Sequence, residues 1–163
     1  MERKNSEMAR STRDQAELKS TGKLPRTLIT FGALAFLLDT RESVLLVQTT
    51  YDHHRWHLPG GYVEALESPE DAVIRELKEE LELTVEVLGL CCVAYKSYSS
   101  NISLVYRSRI VAGKPLADRK EIGAWGYFRA GAWPKGLSDR TKKLIDVSFA
   151  NNLTTPVITF KHP

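Results

Sequence analysis

Residues 68–83 read Ser68-Pro69-Glu70-Asp71-Ala72-Val73-Ile74-Arg75-Glu76-Leu77-Lys78-Glu79-Glu80-Leu81-Glu82-Leu83. Their punctuation and period specify one amphipathic helix. Ser68 offers a hydroxyl at the N-cap, Pro69 falls at the first helical position where its missing N–H is not needed, and Asp71 stands at N3, completing a capping box. At about 100° per residue, Val73, Ile74, Leu77 and Leu81 form an apolar side directed to the core. Glu76, Glu79 and Glu80, spaced i, i+3 and i+4, share a second side with Ala72. Like charges at that spacing repel by roughly a few tenths of a kcal/mol per pair in water, and by more when partly buried. Arg75 reaches Glu79 along the helix, yet one arginine does not neutralise three carboxylates.

A glutamate-rich helix face is ordinarily just a solvated one. Two features favour a different account. Charges on a solvated face alternate in sign, whereas these acids are grouped. Upstream, Pro59-Gly60-Gly61 is a turn whose backbone a ligand approaches closely. Hard divalent cations select oxygen donors, and Mg²⁺ is typically held by a few carboxylates together with substrate phosphates. Metal binding is the better account of the cluster.

Around this helix the chain alternates between strand and turn signals. Residues 27–38 and 43–49 are apolar and β-rich, joined by the turn Asp39-Thr40-Arg41-Glu42, and are expected to form a hairpin. Trp56-His57-Leu58 is a short strand, stopped by the glycine turn. Residues 85–98 and 102–111 are expected to pair antiparallel, 121–128 to lead into a further strand, and 138–150 to form a second helix capped by Ser138. The expected fold class is α+β, a mixed β-sheet sandwiched between helices. Residues 1–23 are polar and charge-mixed and read as a flexible tail, leaving 24–163 as one domain.

The glycine turn and the helix together resemble the Nudix hydrolase family. Its box is G-x5-E-x7-R-E-U-x-E-E-x-G-U, with U aliphatic. Here it reads Gly61, five residues, Glu67, seven residues, and then Arg75-Glu76-Leu77-Lys78-Glu79-Glu80-Leu81-Glu82-Leu83. One fixed position departs, Glu82 standing for the family glycine, and Leu66 replaces a glycine commonly found before Glu67. Trp56-x-Leu58-Pro59-Gly60-Gly61, Glu121-Ile122, Tyr127-Phe128 and Leu137-Ser138 extend the likeness from about Leu28 to Ala150. Such a long, charged pattern is far more specific than a lone glycine motif. Both departures fall at helix ends and remove no candidate ligand; a left-handed turn at Glu82 would cost about 1 kcal/mol.

The resemblance implies a Nudix-like α/β/α sandwich and hydrolysis of a pyrophosphate bond in a nucleoside diphosphate linked to another moiety. It implies Glu76, Glu79 and Glu80 as ligands of Mg²⁺ or Mn²⁺, with the Gly60 carbonyl as a further oxygen. Arg75 would orient the carboxylates and Glu67 would stand at the edge of the cluster. Glu121 is a candidate extra ligand or general base, with Glu76 as the other candidate base. For substrate contacts, Tyr51, Trp56, Tyr95, Tyr98 and Tyr106 are candidate stacking residues and Arg55 and Arg107 candidate phosphate binders, against the plainer role of packing. His53, His54 and His57 lack the partners of common zinc sites.

The chain has 163 residues, 42% hydrophobic and 26% charged, with a formal net charge of +3. That is one ordinary globular domain, too mildly basic to require nucleic acid, and anionic small molecules suit it equally. No apolar run approaches the roughly 20 residues of a membrane span, and no signal-peptide core opens the chain, so a cytoplasmic location is expected. Cys91 and Cys92 are adjacent in an expected strand, pointing to opposite faces as packed thiols. The expected partner is a small nucleotide, with a homodimer possible. Two rivals stay open, an RNA 5′-end pyrophosphohydrolase and a catalytically silent nucleotide-binding module.

Overall fold

The computed structural model describes residues 29–51, 54–96 and 100–150, together with the backbone of 157–160. The expected tail at 1–23, and with it the proposed domain boundary, lies outside them. The strands are β1 (Thr30–Leu37), β2 (Val44–Thr49), β3 (Trp56–His57), β4 (Gly60–Tyr62), β5 (Thr84–Lys96), β6 (Asn101–Ala112), β7 (Ile122–Phe128) and β8 (Val157–Phe160). The helices are α1 (Pro69–Leu81) and α2 (Asp139–Ala150). A five-stranded mixed sheet runs β4-β1-β6-β5-β8, and a three-stranded sheet runs β3-β2-β7.

Alternation along β1 divides the core in two. Ala33, Ala35 and Leu37 join Val73, Leu77 and Leu81 of α1, whereas Phe36 joins Leu144 and Ile145 of α2. The sheet is thus covered by α1 on one face and α2 on the other, the expected α+β sandwich. Strand β2 supplies Leu45 and Val47 to the first cluster and Val44 and Leu46 to the second. A strand buried on both faces reads as a continuous apolar run, as Val44-Leu45-Leu46-Val47 does.

Three local expectations are corrected. Strands β1 and β2 share a turn but not a hairpin: the Asp39 carboxylate takes the N–H groups of Arg41 and Ser43 at 2.8 and 2.7 Å, and Leu38 bridges Val44. Beyond that bridge β1 is occupied by β4 on one edge and β6 on the other, while β2 pairs with β3 and β7. The glycine turn does not end strand structure either; Gly60–Tyr62 is itself the edge strand, antiparallel to β1. Ile74, expected in the core, is 40% exposed, because the sheet covers only the narrower stripe through Val73, Leu77 and Leu81.

The cysteines also differ from simple alternation. The β5–β6 register shifts between Leu90 and Cys92, and both thiols are buried in the same apolar cluster. A bulge places two residues opposite one and so breaks the two-residue period.

Candidate functional site

The start of α1 is built as its sequence implies. Ser68 accepts the Asp71 N–H at 3.1 Å and donates its hydroxyl to the Asp71 carboxylate at 2.6 Å. The helix ends at Glu82, whose left-handed backbone (φ 56°) lets the Leu83 N–H reach the Leu77 carbonyl at 3.1 Å. The loop after β6 docks on the same end: Leu116 and Asp118 donate their N–H groups to the carbonyls of Leu81 and Glu80 at 2.9 and 3.1 Å. Carbonyls that a helix terminus leaves open are satisfied in this way.

This docking carries Glu121 to the acidic face. The Asp118 carboxylate accepts the N–H groups of Lys120, Glu121 and Ile122 at 3.2, 3.1 and 2.9 Å. The Thr50 N–H donates to the Glu121 carbonyl at 2.8 Å. Asp118 escaped the sequence analysis, although an aspartate that gathers the N–H groups of the next few residues is an ordinary turn device.

Arg75 organises the carboxylates. Its Nε and Nη2 hold Glu67 Oε1 and Oε2 at 2.8 and 3.1 Å, Nη1 donates to Glu76 Oε1 at 3.0 Å and Glu79 Oε2 at 3.1 Å, and Nη2 also reaches the Tyr62 carbonyl at 3.0 Å. Glu67 additionally accepts the Glu64 N–H at 3.0 Å. Its pKa is lowered, first by the hydrogen bond from Arg75. Glu67 therefore ties the loop to the helix.

Glu80 is the buried member, 6% exposed, and its Oε2 accepts the Gly60 N–H at 2.9 Å. Burial pushes its pKa up to about 8, the Gly60 hydrogen bond opposing and the charges of Glu76, Glu121 and Asp118 adding to the rise. Glu76 is raised too, chiefly by burial, against the pull of Arg75 and with help from Glu79 and Glu121. The turn glycines make this packing possible. A Cβ on Gly61 would fall 2.3 Å from Glu76 Oε1, and one on Gly60, at φ +124°, would fall 2.3 Å from the Ala33 carbonyl oxygen.

Glu76, Glu79, Glu80 and Glu121 line one cleft of about 630 Å³ with Gly60, Gly61 and Arg75. Among the described residues, no three of these or other acidic, histidine or cysteine side chains already gather as an ion cage. Arg75 holds Glu76 and Glu79 through Nη1, and Glu80 accepts the Gly60 amide.

The sequence of residues 29–146 matches the family profile of the NUDIX domain. The chain belongs to the Nudix family. A putative 8-oxo-dGTP diphosphatase of Bacillus subtilis (strain 168) is 27% identical over 134 residues, covering 82% of this chain and 89% of that one. An ADP-ribose pyrophosphatase of Methanocaldococcus jannaschii is 31% identical over 119 residues, 68% of each chain. A NUDIX hydrolase from Nitrosomonas europaea shares the fold with a TM-score of 0.71 at 17% identity, over 86% of this chain and 83% of its own. This protein is accordingly a Nudix pyrophosphohydrolase, an enzyme acting on acid anhydrides in small nucleotides. Nudix hydrolases generally need divalent metal ions.

Both Nudix-box departures occupy left-handed backbone, Glu82 at φ 56° and Leu66 at φ 68°. The missing glycines are thus lost where glycine is the residue the conformation favours.

Of the proposed substrate contacts, Tyr51, Arg55 and Trp56 line the cleft, and His57 lies there beside them. Tyr106 does not; it is buried against α1 and hydrogen-bonded to Glu70. Arg107 is also elsewhere, donating to the Ser148 carbonyl at 3.2 Å and stacking over Phe36. Tyr95 is not in the cleft lining, and His53 and Tyr98 lie outside the described residues. Gly32, Lys96, Asn101, Ser103 and Arg140, none of them foreseen from the sequence, also line the cleft. No helix among the described residues is long and apolar enough to cross a membrane.

Proposed function

We propose that the protein cleaves the pyrophosphate bond of a nucleoside diphosphate linked to a further moiety, giving a nucleoside monophosphate and the phosphorylated moiety. The supporting observation is the single cleft in which the buried Glu80 and half-buried Glu76 share a wall with Glu79 and Glu121. Their charges oppose one another, and their oxygens are the donors a hard divalent cation selects. The residues fit Mg²⁺ or Mn²⁺, with Glu76, Glu79, Glu80 and the Gly60 carbonyl as its ligands. When bound, such an ion offsets phosphate charge and acidifies a coordinated water.

The chain's own residues supply the rest. Arg75 is a positioning residue, holding Glu76 and Glu79 through Nη1 while anchored on Glu67. The proton of the attacking water passes to Glu121 or Glu76. Arg55 meets phosphate oxygens and Tyr51 or Trp56 meets the base. Water cleaves the P–O–P bridge, so each phosphorus leaves as a monoester. The protein acts in the cytoplasm and on small nucleotides rather than on RNA ends.

A panel of nucleoside diphosphate sugars, dinucleoside polyphosphates and nucleoside triphosphates, assayed with Mg²⁺ and with Mn²⁺, tests this. Wild type should release a monophosphate and a phosphorylated moiety from at least one diphosphate-linked compound, and Glu79→Gln should lose most of that turnover. Nucleotide binding without turnover by either protein would make it a silent module.

A further inference from the structure

The cleft has a second arm that the carboxylates do not use. On the α2 face of the large sheet, Tyr62, Gly32 and Ser103 are cross-strand neighbours on β4, β1 and β6. In the next row Thr30 pairs with Asn101, and Asn101 pairs with Lys96. Arg140, from the first turn of α2, reaches down to this floor and donates from Nη2 to Ser103 Oγ at 3.3 Å. Ser103 donates to Asn101 Oδ1 at 3.0 Å, and the buried Asn101 amide donates to Thr30 Oγ1 at 3.0 Å. The guanidinium is therefore carried on a connected relay of neutral groups.

Gly32 shows that the floor is kept open. Glycine weakens a strand interior, and where it occurs there a ligand or another backbone often approaches closely. Neither backbone strain nor crowding requires it here. Gly32 is not among the residues with positive φ, and a Cβ would lie 3.6 Å from the Gly61 carbonyl oxygen and 3.8 Å from Ser103 Oγ, ordinary contact distances. A larger side chain would fit the strand and fill the cleft beneath Arg140.

Charge gives the ligand's class. Burial pushes the Arg140 pKa down to about 10, with Tyr62 opposing. Arg140 lines the cleft while its Nη2 is held on Ser103. Its fork of N–H donors matches the two oxygens of a carboxylate or phosphate. Lys96 adds a second positive charge on the same arm.

We infer that Arg140, over the bare floor at Gly32, forms a subsite for an anionic oxygen group on the moiety linked to the nucleoside diphosphate, making the enzyme selective for substrates with a second negatively charged end. The inference rests on the proposed reaction only for which molecule carries that group. Two matched pairs of probes test it: UDP-glucose against UDP-glucuronate for a carboxylate, and ADP-ribose against ADP-ribose 1″-phosphate for a phosphate. Titration calorimetry in EDTA reads binding without turnover, so loss of hydrolysis and loss of the subsite are separable. Wild type should bind the charged member of one pair at least about tenfold more tightly, the scale of one charge-assisted contact. Arg140→Gln should abolish that ratio, and Gly32→Val, which leaves Arg140 in place, should reduce it by filling the floor. Equal affinities within both pairs in the wild type, or an Arg140→Gln variant that keeps the ratio, would overturn the assignment. A changed base preference with the ratio intact would move Arg140 to the base subsite and overturn it equally.

Discussion

Glu80 and Gly60, twenty residues apart, are joined by a 2.9 Å hydrogen bond from the glycine amide to the carboxylate. The most buried acid of the cleft is thereby fastened to the edge strand, and the positive φ of Gly60 and the nearby Ala33 carbonyl leave no room for a side chain at that position. Gly60→Ala should destabilise the fold by about 2 kcal/mol, from the left-handed penalty and the clash with Ala33. It should also lower turnover by displacing Glu80. Urea unfolding in EDTA checks the first effect and nucleotide hydrolysis the second; wild-type values in both would refute the account.

The raised pKa of Glu80 has a definite sign for stability. The folded state prefers the protonated acid, so this contribution is complete below the ordinary carboxylate value of 4.5 and is lost as pH rises through about 8. Chelated protein should therefore melt at falling temperature between those limits. Glu80→Gln, which keeps an acceptor for the Gly60 amide, should flatten the slope, and saturating Mg²⁺ should do the same. Thermal scans across pH, with and without EDTA, decide it; identical slopes in wild type and Glu80→Gln would contradict the prediction.

Arg75 braces acceptors on four residues at once, and a lysine reproduces none of the paired geometry with Glu67. Arg75→Lys should weaken divalent-ion affinity or turnover by roughly 10- to 100-fold, the usual cost of losing an orienting partner. Circular dichroism should stay near wild type, since α1 keeps its cap and core side. A Mn²⁺ titration followed by relaxation enhancement gives the affinity directly, and an unchanged value together with unchanged turnover would remove Arg75 from the site.

Restoring glycine at the two left-handed positions should help. Leu66→Gly and Glu82→Gly each relieve about 1 kcal/mol of backbone strain, less the added freedom of the unfolded chain, for a net gain of about 0.5 kcal/mol. The urea midpoint should rise with an unchanged slope for both. A fall at either position would mean that its side chain makes a compensating contact.

The helix and its acidic face were legible because a serine cap, a proline and a 3.6-residue apolar period all point the same way. Sheet partnership was not: Leu37 and Val44 are close along the chain, yet strand pairing depends on which residues face which core, and the all-apolar β2 conceals that. Simple alternation likewise could not reveal the bulge that turns Cys91 and Cys92 into one cluster. The acidic wall followed from spacing on a single helix. The opposite arm, with Gly32, Lys96, Asn101, Ser103 and Arg140 contributed by four separate elements, leaves no local signature.

Strand β4 is only three residues long, and it is the outermost member of its sheet. One cleft takes its lining from both sides of that edge, Glu76 and Glu79 from α1 and Arg140 and Thr141 from α2. A substrate of the proposed kind would lie across that edge, its scissile bridge toward Glu76 and its far end toward Arg140.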